Sequence, residues 1–124
     1  MPDITLSITG QAIKGSLTQS FAANGVTADM TSTGMMAVTL NLGTATTQVV
    51  TSNMSTLGYA FARSLVTATA ITATVSFGRL VAGTLHDAVT LRPGEAAAMR
   101  LSAGDYAAKA AVASSPLLLE ILEG

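Results

Sequence analysis

Runs in which apolar residues alternate one for one with small polar or hydroxyl residues constrain this chain more than any other feature. In "DITLSIT", Ile4, Leu6 and Ile8 alternate with Thr5, Ser7 and Thr9. In "MMAVTLNL", Met36, Val38, Leu40 and Leu42 share one parity, with Met35, Ala37, Thr39 and Asn41 on the other. "TATAITATVSFG" sets Ile71, Ala73, Val75 and Phe77 against Thr72, Thr74 and Ser76, and "LGYAFARSLV" sets Leu57, Tyr59, Phe61 and Leu65 against Gly58, Ala60, Ala62 and Ser64. A period of two sends successive side chains to opposite faces of a strand, so each run predicts a β-strand with one buried face. The abundant Thr and Val, stiff at χ1, fit a pleated surface better than a helix.

Turn-forming residues punctuate the runs at Thr9-Gly10, Asn24-Gly25, Thr33-Gly34, Leu42-Gly43, Ser52-Asn53, Phe77-Gly78, Pro93-Gly94, Ala103-Gly104 and Ser115-Pro116. Asn24-Gly25 is a strong hairpin-turn signal. In "RPGE", Pro93 fixes φ for the second turn position and Gly94 tolerates positive φ at the third, which predicts a type II turn between two strands. The Ala-rich "DYAAKAAVA", residues 105–113, reads equally as a short helix or a strand. "PLLLEIL" reads as a closing strand, apolar on both faces apart from Glu120 and therefore covered on both. The expectation is an all-β fold: one antiparallel β-sandwich domain over residues 1–124, jelly-roll-like, with about eight to ten strands and room for one short helix near 105–113.

Charge separates this chain from ordinary soluble domains. Charged residues make up 10% of it, against about 25% in a typical domain. No charged side chain lies between Asp29 and Arg63, or between Arg63 and Arg79. So little charge protects a free monomer poorly against association. The surface is therefore expected to be covered in use, by a partner or by copies of the chain in a closed symmetric homo-oligomer such as a trimer. The six Lys and Arg residues are scattered from Lys14 to Lys109 and form no block, so nucleic-acid binding by phosphate neutralisation is not expected. No stretch supplies the roughly 20 mostly apolar residues of a membrane helix. "MPDITLSITG" lacks the basic and apolar regions of a signal peptide, so synthesis in a cytoplasm is expected.

A search for chemistry gives no catalytic, cofactor-binding or metal-ligating candidate. There are no cysteines and one histidine, too few for thiolate or multi-His zinc sites. His86-Asp87 reads as a loop histidine beside a turn aspartate. Asp3, Asp29, Asp87, Glu95, Asp105, Glu120 and Glu123 lack calcium-loop spacing, and the glycines form neither phosphate-binding motif. No G-x-S-x-G elbow is present. Of the aromatics Phe21, Tyr59, Phe61, Phe77 and Tyr106, the middle three fall on parities read as core-facing. Met30, Met35 and Met36 read as adaptable packing or interface residues.

The second half carries a recognisable order of short motifs: "LGYAFARSLVTATAITATVSFG", then "LRPGEAAAMRL", then "YAAKA", then an apolar strand ending in "EILEG". Gly58-Tyr59, Pro93 to Glu95 and Tyr106 to Ala110 resemble the Gly-Tyr strand, Pro-Gly-Glu turn and Tyr-Ala-Lys-Ala segment of small β-sandwich virion proteins of tailed bacteriophages. The resemblance covers about half the chain. It implies a non-enzymatic virion protein, made in the bacterial host and bound to the major capsid protein or other virion proteins, most simply as a capsid decoration or cement protein. A tail, neck or baseplate component, or a ligand-binding or adhesive β-domain, are the alternatives.

Overall fold

A computed structural model describes residues 2–67 and 69–124. Among these there are ten strands and no helix: β1 (Ile4–Lys14), β2 (Leu17–Ala28), β3 (Met35–Leu42), β4 (Thr47–Val49), β5 (Tyr59–Ser64), β6 (Val75–Val81), β7 (Thr84–Leu91), β8 (Ala96–Arg100), β9 (Tyr106–Ala110) and β10 (Ser115–Leu122). The chain is all-β and antiparallel throughout. The segment that read as either helix or strand, 105–113, supplies β9. Contacts divide the chain into two compact units, Met1–Thr31 and Ser32–Gly124. The sandwich expected over 1–124 occupies the second unit, and the first is a two-stranded ribbon.

In the second unit the sheets run β3-β10-β5-β8 and β4-β9-β6-β7. The pairs β3 with β10, β4 with β9, β5 with β8 and β6 with β7 nest inside one another. One long antiparallel hairpin, bent at β6–β7, has thus been rolled so that β10 also meets β5 and β9 also meets β6. This is the jelly-roll-like order, with two four-stranded sheets facing each other.

The core lies between the sheets and is built by pairing bulk with smallness. Leu117, Leu119 and Ile121 of β10 are fully buried. Their ladder partners on β5 are Ser64, Ala62 and Ala60. Phe77 of β6 and Tyr106 of β9 stack at 5.6 Å from the other sheet, and the Tyr106 hydroxyl donates to the Ser102 carbonyl at 2.7 Å, which satisfies the one polar group brought in with the ring. On β3 the inner face is the expected one, Met36, Val38, Leu40 and Leu42.

Leu57 packs against the core as expected, but over β5 the faces of the alternation are the reverse of the expected ones. Ala60, Ala62 and Ser64 point inward, while Tyr59 and Phe61 take the outer face. The leucines of β10 and the Phe77 ring already fill that space, so the strand between them must be small. Outside, Tyr59 stacks on Phe61 at 6.5 Å and carries the Arg100 guanidinium over its ring at 4.7 Å. The run over 69–74 is not strand. Ala73 N–H donates to Ala70 and Thr74 N–H to Thr72, local turns that leave Ile71 exposed while Ala73 and Val75 are buried. The outer residues of β10, Pro116, Leu118, Glu120 and Leu122, are half-buried and not fully covered.

In the ribbon, the hairpin turn is Gly15-Ser16, between the paired Lys14 and Leu17, and Gly10 lies within β1. Asn24-Gly25 forms a β-bulge instead of the expected turn: Leu6 pairs with Val26 but Ile8 pairs with Ala23, so Ser7 faces two residues. Gly25 has φ +66°, the left-handed conformation that a glycine bulge uses. Its N–H donates to the Ser7 hydroxyl at 3.3 Å.

The turn at 92–95 is as the sequence predicts. Gly94 has φ +81°, Glu95 N–H donates to the Arg92 carbonyl at 3.1 Å, and the Glu95 carboxylate accepts from Arg92 N–H at 2.9 Å. The β6–β7 turn, Ala82-Gly83, has φ +51° and +78°. Two successive positive values match a type I′ hairpin turn, whose preferred first residue is Asn. Opposite outcomes are expected at the two turns. Gly94→Val lowers stability by about 1–3 kcal/mol, because a β-branched residue is strained at positive φ. Ala82→Asn raises it by up to about 1 kcal/mol by relieving an alanine held left-handed. Denaturant midpoints check both; no change at either position contradicts the turn assignments.

Candidate functional site

Most of the acidic and basic side chains are exposed, and several are occupied locally. In the ribbon unit, Asp3 accepts from Met30 N–H at 2.9 Å. His86 and Asp87 lie in β7, an edge strand, and not in the expected loop. They are exposed beside a second bulge, where Phe77 pairs with Val89 and Gly78 with Asp87. There the β7 backbone presses so closely on Gly78 that an added Cβ would collide with the His86 carbonyl and lie 2.7 Å from Ala88 N. Glu95 belongs to its own turn. The Arg79 guanidinium lies over Tyr106 at 5.6 Å, as that of Arg100 does over Tyr59; both are cation–π contacts. Among the described residues no three of His, Asp and Glu gather as metal ligands.

Glu123 is the acid that sequence reasoning passed over. It is buried, follows β10, and accepts from the Ser55 N–H at 2.7 Å and the Ser55 hydroxyl at 3.3 Å. Its own N–H donates to the Gly34 carbonyl, and its side chain packs where a Cβ on Gly34 would stand. The carboxylate thus ties the 50–58 loop and the start of β3 to the end of β10. Nothing in the sequence marks it apart from the other acids, since its partners lie 68 and 89 positions away. Its contacts are backbone and hydroxyl donors, which is a structural role.

Two surface recesses in the sandwich unit are lined by hydroxyl and alkyl groups. One of about 360 Å³ is lined by Met54, Ser55, Leu57, Ala103 and Gly124, among others. Another of about 360 Å³ lies between Leu65–Thr67 and Val112–Pro116. In the ribbon unit, a recess of about 540 Å³ borders Pro2, Asp3, Thr27 and Asp29.

What the fold does present is apolar surface with few charges. Four connections, 43–46, 65–74, 92–95 and 111–114, meet at one end of the sandwich. They are laced by Ala110 N–H to Gly43, Ala111 N–H to Thr74, Leu65 N–H to Pro116 and Ser64 N–H to Glu95. This end exposes Leu65, Ile71 and Val112, and the sequence of these four connections contains two charged residues, Arg92 and Glu95. Separately, the ribbon exposes Ile8, Leu17, Phe21 and Val26. Met35 lies at an exposed edge of the sandwich, while Met36 packs into its core. No helix long and apolar enough to cross a membrane occurs among the described residues. Comparison with known protein families, curated proteins and solved structures finds no match.

Glu123→Ala is expected to lower stability by about 1–3 kcal/mol, because it leaves a part-buried backbone donor without its acceptor. His86→Gln, on the exposed edge strand, should leave it unchanged within about 0.5 kcal/mol. Equal melting temperatures for Glu123→Ala and the parent would contradict the tie.

Proposed function

We propose that this chain is a non-enzymatic structural protein of a virion, which decorates or cements the head of a tailed phage by binding its coat lattice. The observation that carries the reading is the loop end of the sandwich. Leu65, Ile71 and Val112 stand exposed there among Thr, Ala and Ser, on a chain with 10% charged residues. Large exposed apolar groups with few charges around them mark a surface meant to be covered. Two further features support it. The jelly-roll-like order is an architecture that viral capsid domains use. The motifs that resemble phage virion proteins fall on defined elements of this fold: Gly58-Tyr59 at the start of β5, Pro93 to Glu95 in the β7–β8 turn, and Tyr106 to Ala110 as β9.

On this reading the protein is made in the host bacterium and resides in the virion, with the major capsid protein as partner and no nucleic acid or membrane contact. The coat contact consists of apolar packing and hydroxyl hydrogen bonds, with few ion pairs. Screening by salt weakens charge-driven interfaces and leaves apolar ones largely intact. The protein should therefore stay on purified particles through a salt titration, at a copy number on the scale of the coat lattice. Release at moderate salt contradicts the apolar contact. A copy number of only a few per particle moves the protein to the tail, neck or baseplate.

A further inference from the structure

The ribbon poses a physical problem that the sandwich does not. Two-stranded hairpins alone are at best marginally stable in water, and this one has strands of 11 and 12 residues. Its ladder shows how its faces are made. Paired residues share a face, so Ile4 with Ala28, Leu6 with Val26, Ile8 with Ala23, Gly10 with Phe21, Ala12 with Gln19 and Lys14 with Leu17 form one side. The opposite side is Thr5 with Thr27, Thr9 with Ala22, Gln11 with Ser20 and Ile13 with Thr18, mainly polar. The bulge at Asn24-Gly25 maintains this division. Phe21 and Ala23 are odd-numbered and Val26 and Ala28 even-numbered, and the extra residue between them brings all four to the same face.

The apolar face also has a pattern within it. At two exposed levels a large residue stands beside a small one, and the large one changes strand along the ribbon: Ile8 on β1, then Phe21 on β2; Ile4, at the ribbon end, is already buried in the single chain. A two-fold axis running along the ribbon, between two such faces, sets β1 of one copy above β2 of the other at the same level. Ile8 then lies over Ala23 of the second copy and Phe21 over its Gly10, each contact made twice. A two-fold interface requires this kind of self-complementarity. At the open tip, the Lys14 stem would lie over Leu17 of the other copy with its ammonium in water.

We propose that the apolar face of the β1–β2 ribbon is a homodimer interface, occupied by the same face of a second copy of this chain. A face two strands wide and nine residues long, from Leu6 to Lys14, measures roughly 30 by 10 Å. Two of them bury on the order of 600 Å², below the about 1,200 Å² at which standard stable interfaces begin. The dimer is therefore reversible and concentration-dependent in free solution. The ribbon register specifies a pair, in place of the trimer that low charge alone suggested.

The test is sedimentation of the free full-length protein from dilute to millimolar concentration, without particles, so its result is independent of the coat-binding reading. The parent protein should pass from monomer to dimer. Ala23→Ile, which places bulk over bulk, and Ile8→Ala, which leaves a gap, should each weaken the dimer about tenfold or more. The exchange of both, Ile8→Ala with Ala23→Ile, should restore it, because bulk again meets smallness. Gly10→Leu separates this account from general stickiness. A Cβ at Gly10 meets nothing within 4 Å in the single chain, so the monomer has room for it, yet the leucine would fill the space that Phe21 of the other copy needs. Weaker dimers with Gly10→Leu support the proposal. A monomer at every concentration, a trimer, a double exchange that fails to restore pairing, or tighter association of Gly10→Leu would each overturn it. In the monomeric case the coat becomes the occupant of the ribbon face.

Discussion

The sandwich depends on the packing of β10, the last strand, against its two neighbours. Its inner side chains Leu117, Leu119 and Ile121 are completely buried, and each buried leucine or isoleucine contributes about 1.5–3 kcal/mol relative to exposure. On one side β10 pairs with β3 and on the other with β5, so the β3-β10-β5-β8 sheet has no continuous ladder without it. That one strand explains the small residues on β5, the outward turn of Tyr59 and Phe61, and the position of Glu123, which anchors the strand end. Because the nested pairs join residues far apart in sequence, the fold is dominated by non-local contacts, a class that folds slowly.

Much of this was legible from local pattern. The inner face of β3 follows from Met36, Val38, Leu40 and Leu42 in strict alternation, and the Pro93-Gly94 turn follows from the conformations those two residues prefer. Face polarity over 57–65 was not legible, because alternation shows that two faces exist but does not say which is inside. Apolar character pointed to Tyr59 and Phe61; the volume already taken by distant residues decided for Ala60 and Ala62. Asn24-Gly25 carries the chemistry of both a hairpin turn and a glycine bulge, and only the pairing of β1 separates them. Ala82-Gly83 carries no strong turn signature and was passed over. The Ala-rich β9 became a strand because it lies between β4 and β6, where pairing outweighs the intrinsic preference of alanine for helix.

The functional reading rests on what the fold leaves uncovered. The sandwich satisfies its own polar groups: among the described residues no buried side-chain nitrogen or oxygen lacks a hydrogen-bond partner. Its arginines Arg79 and Arg100 lie over tyrosine rings. What remains unsatisfied is apolar surface, at the loop end of the sandwich and along the ribbon. A component of a symmetric shell needs surfaces of this kind, one toward the lattice and one toward its own copies, and a chain with so few charges is suited to contacts that do not depend on ionic strength.

The central claim is that the apolar face of the ribbon gains a partner on assembly. Amide hydrogen exchange tests it most directly, because exchange protection reports local stability strand by strand. In dilute free protein, amides of β1 and β2 should exchange rapidly while β5, β6, β9 and β10 stay protected. In concentrated or particle-bound protein, the ribbon amides should become protected as well. Ribbon amides as slow as those of β10 in the dilute monomer would contradict the account.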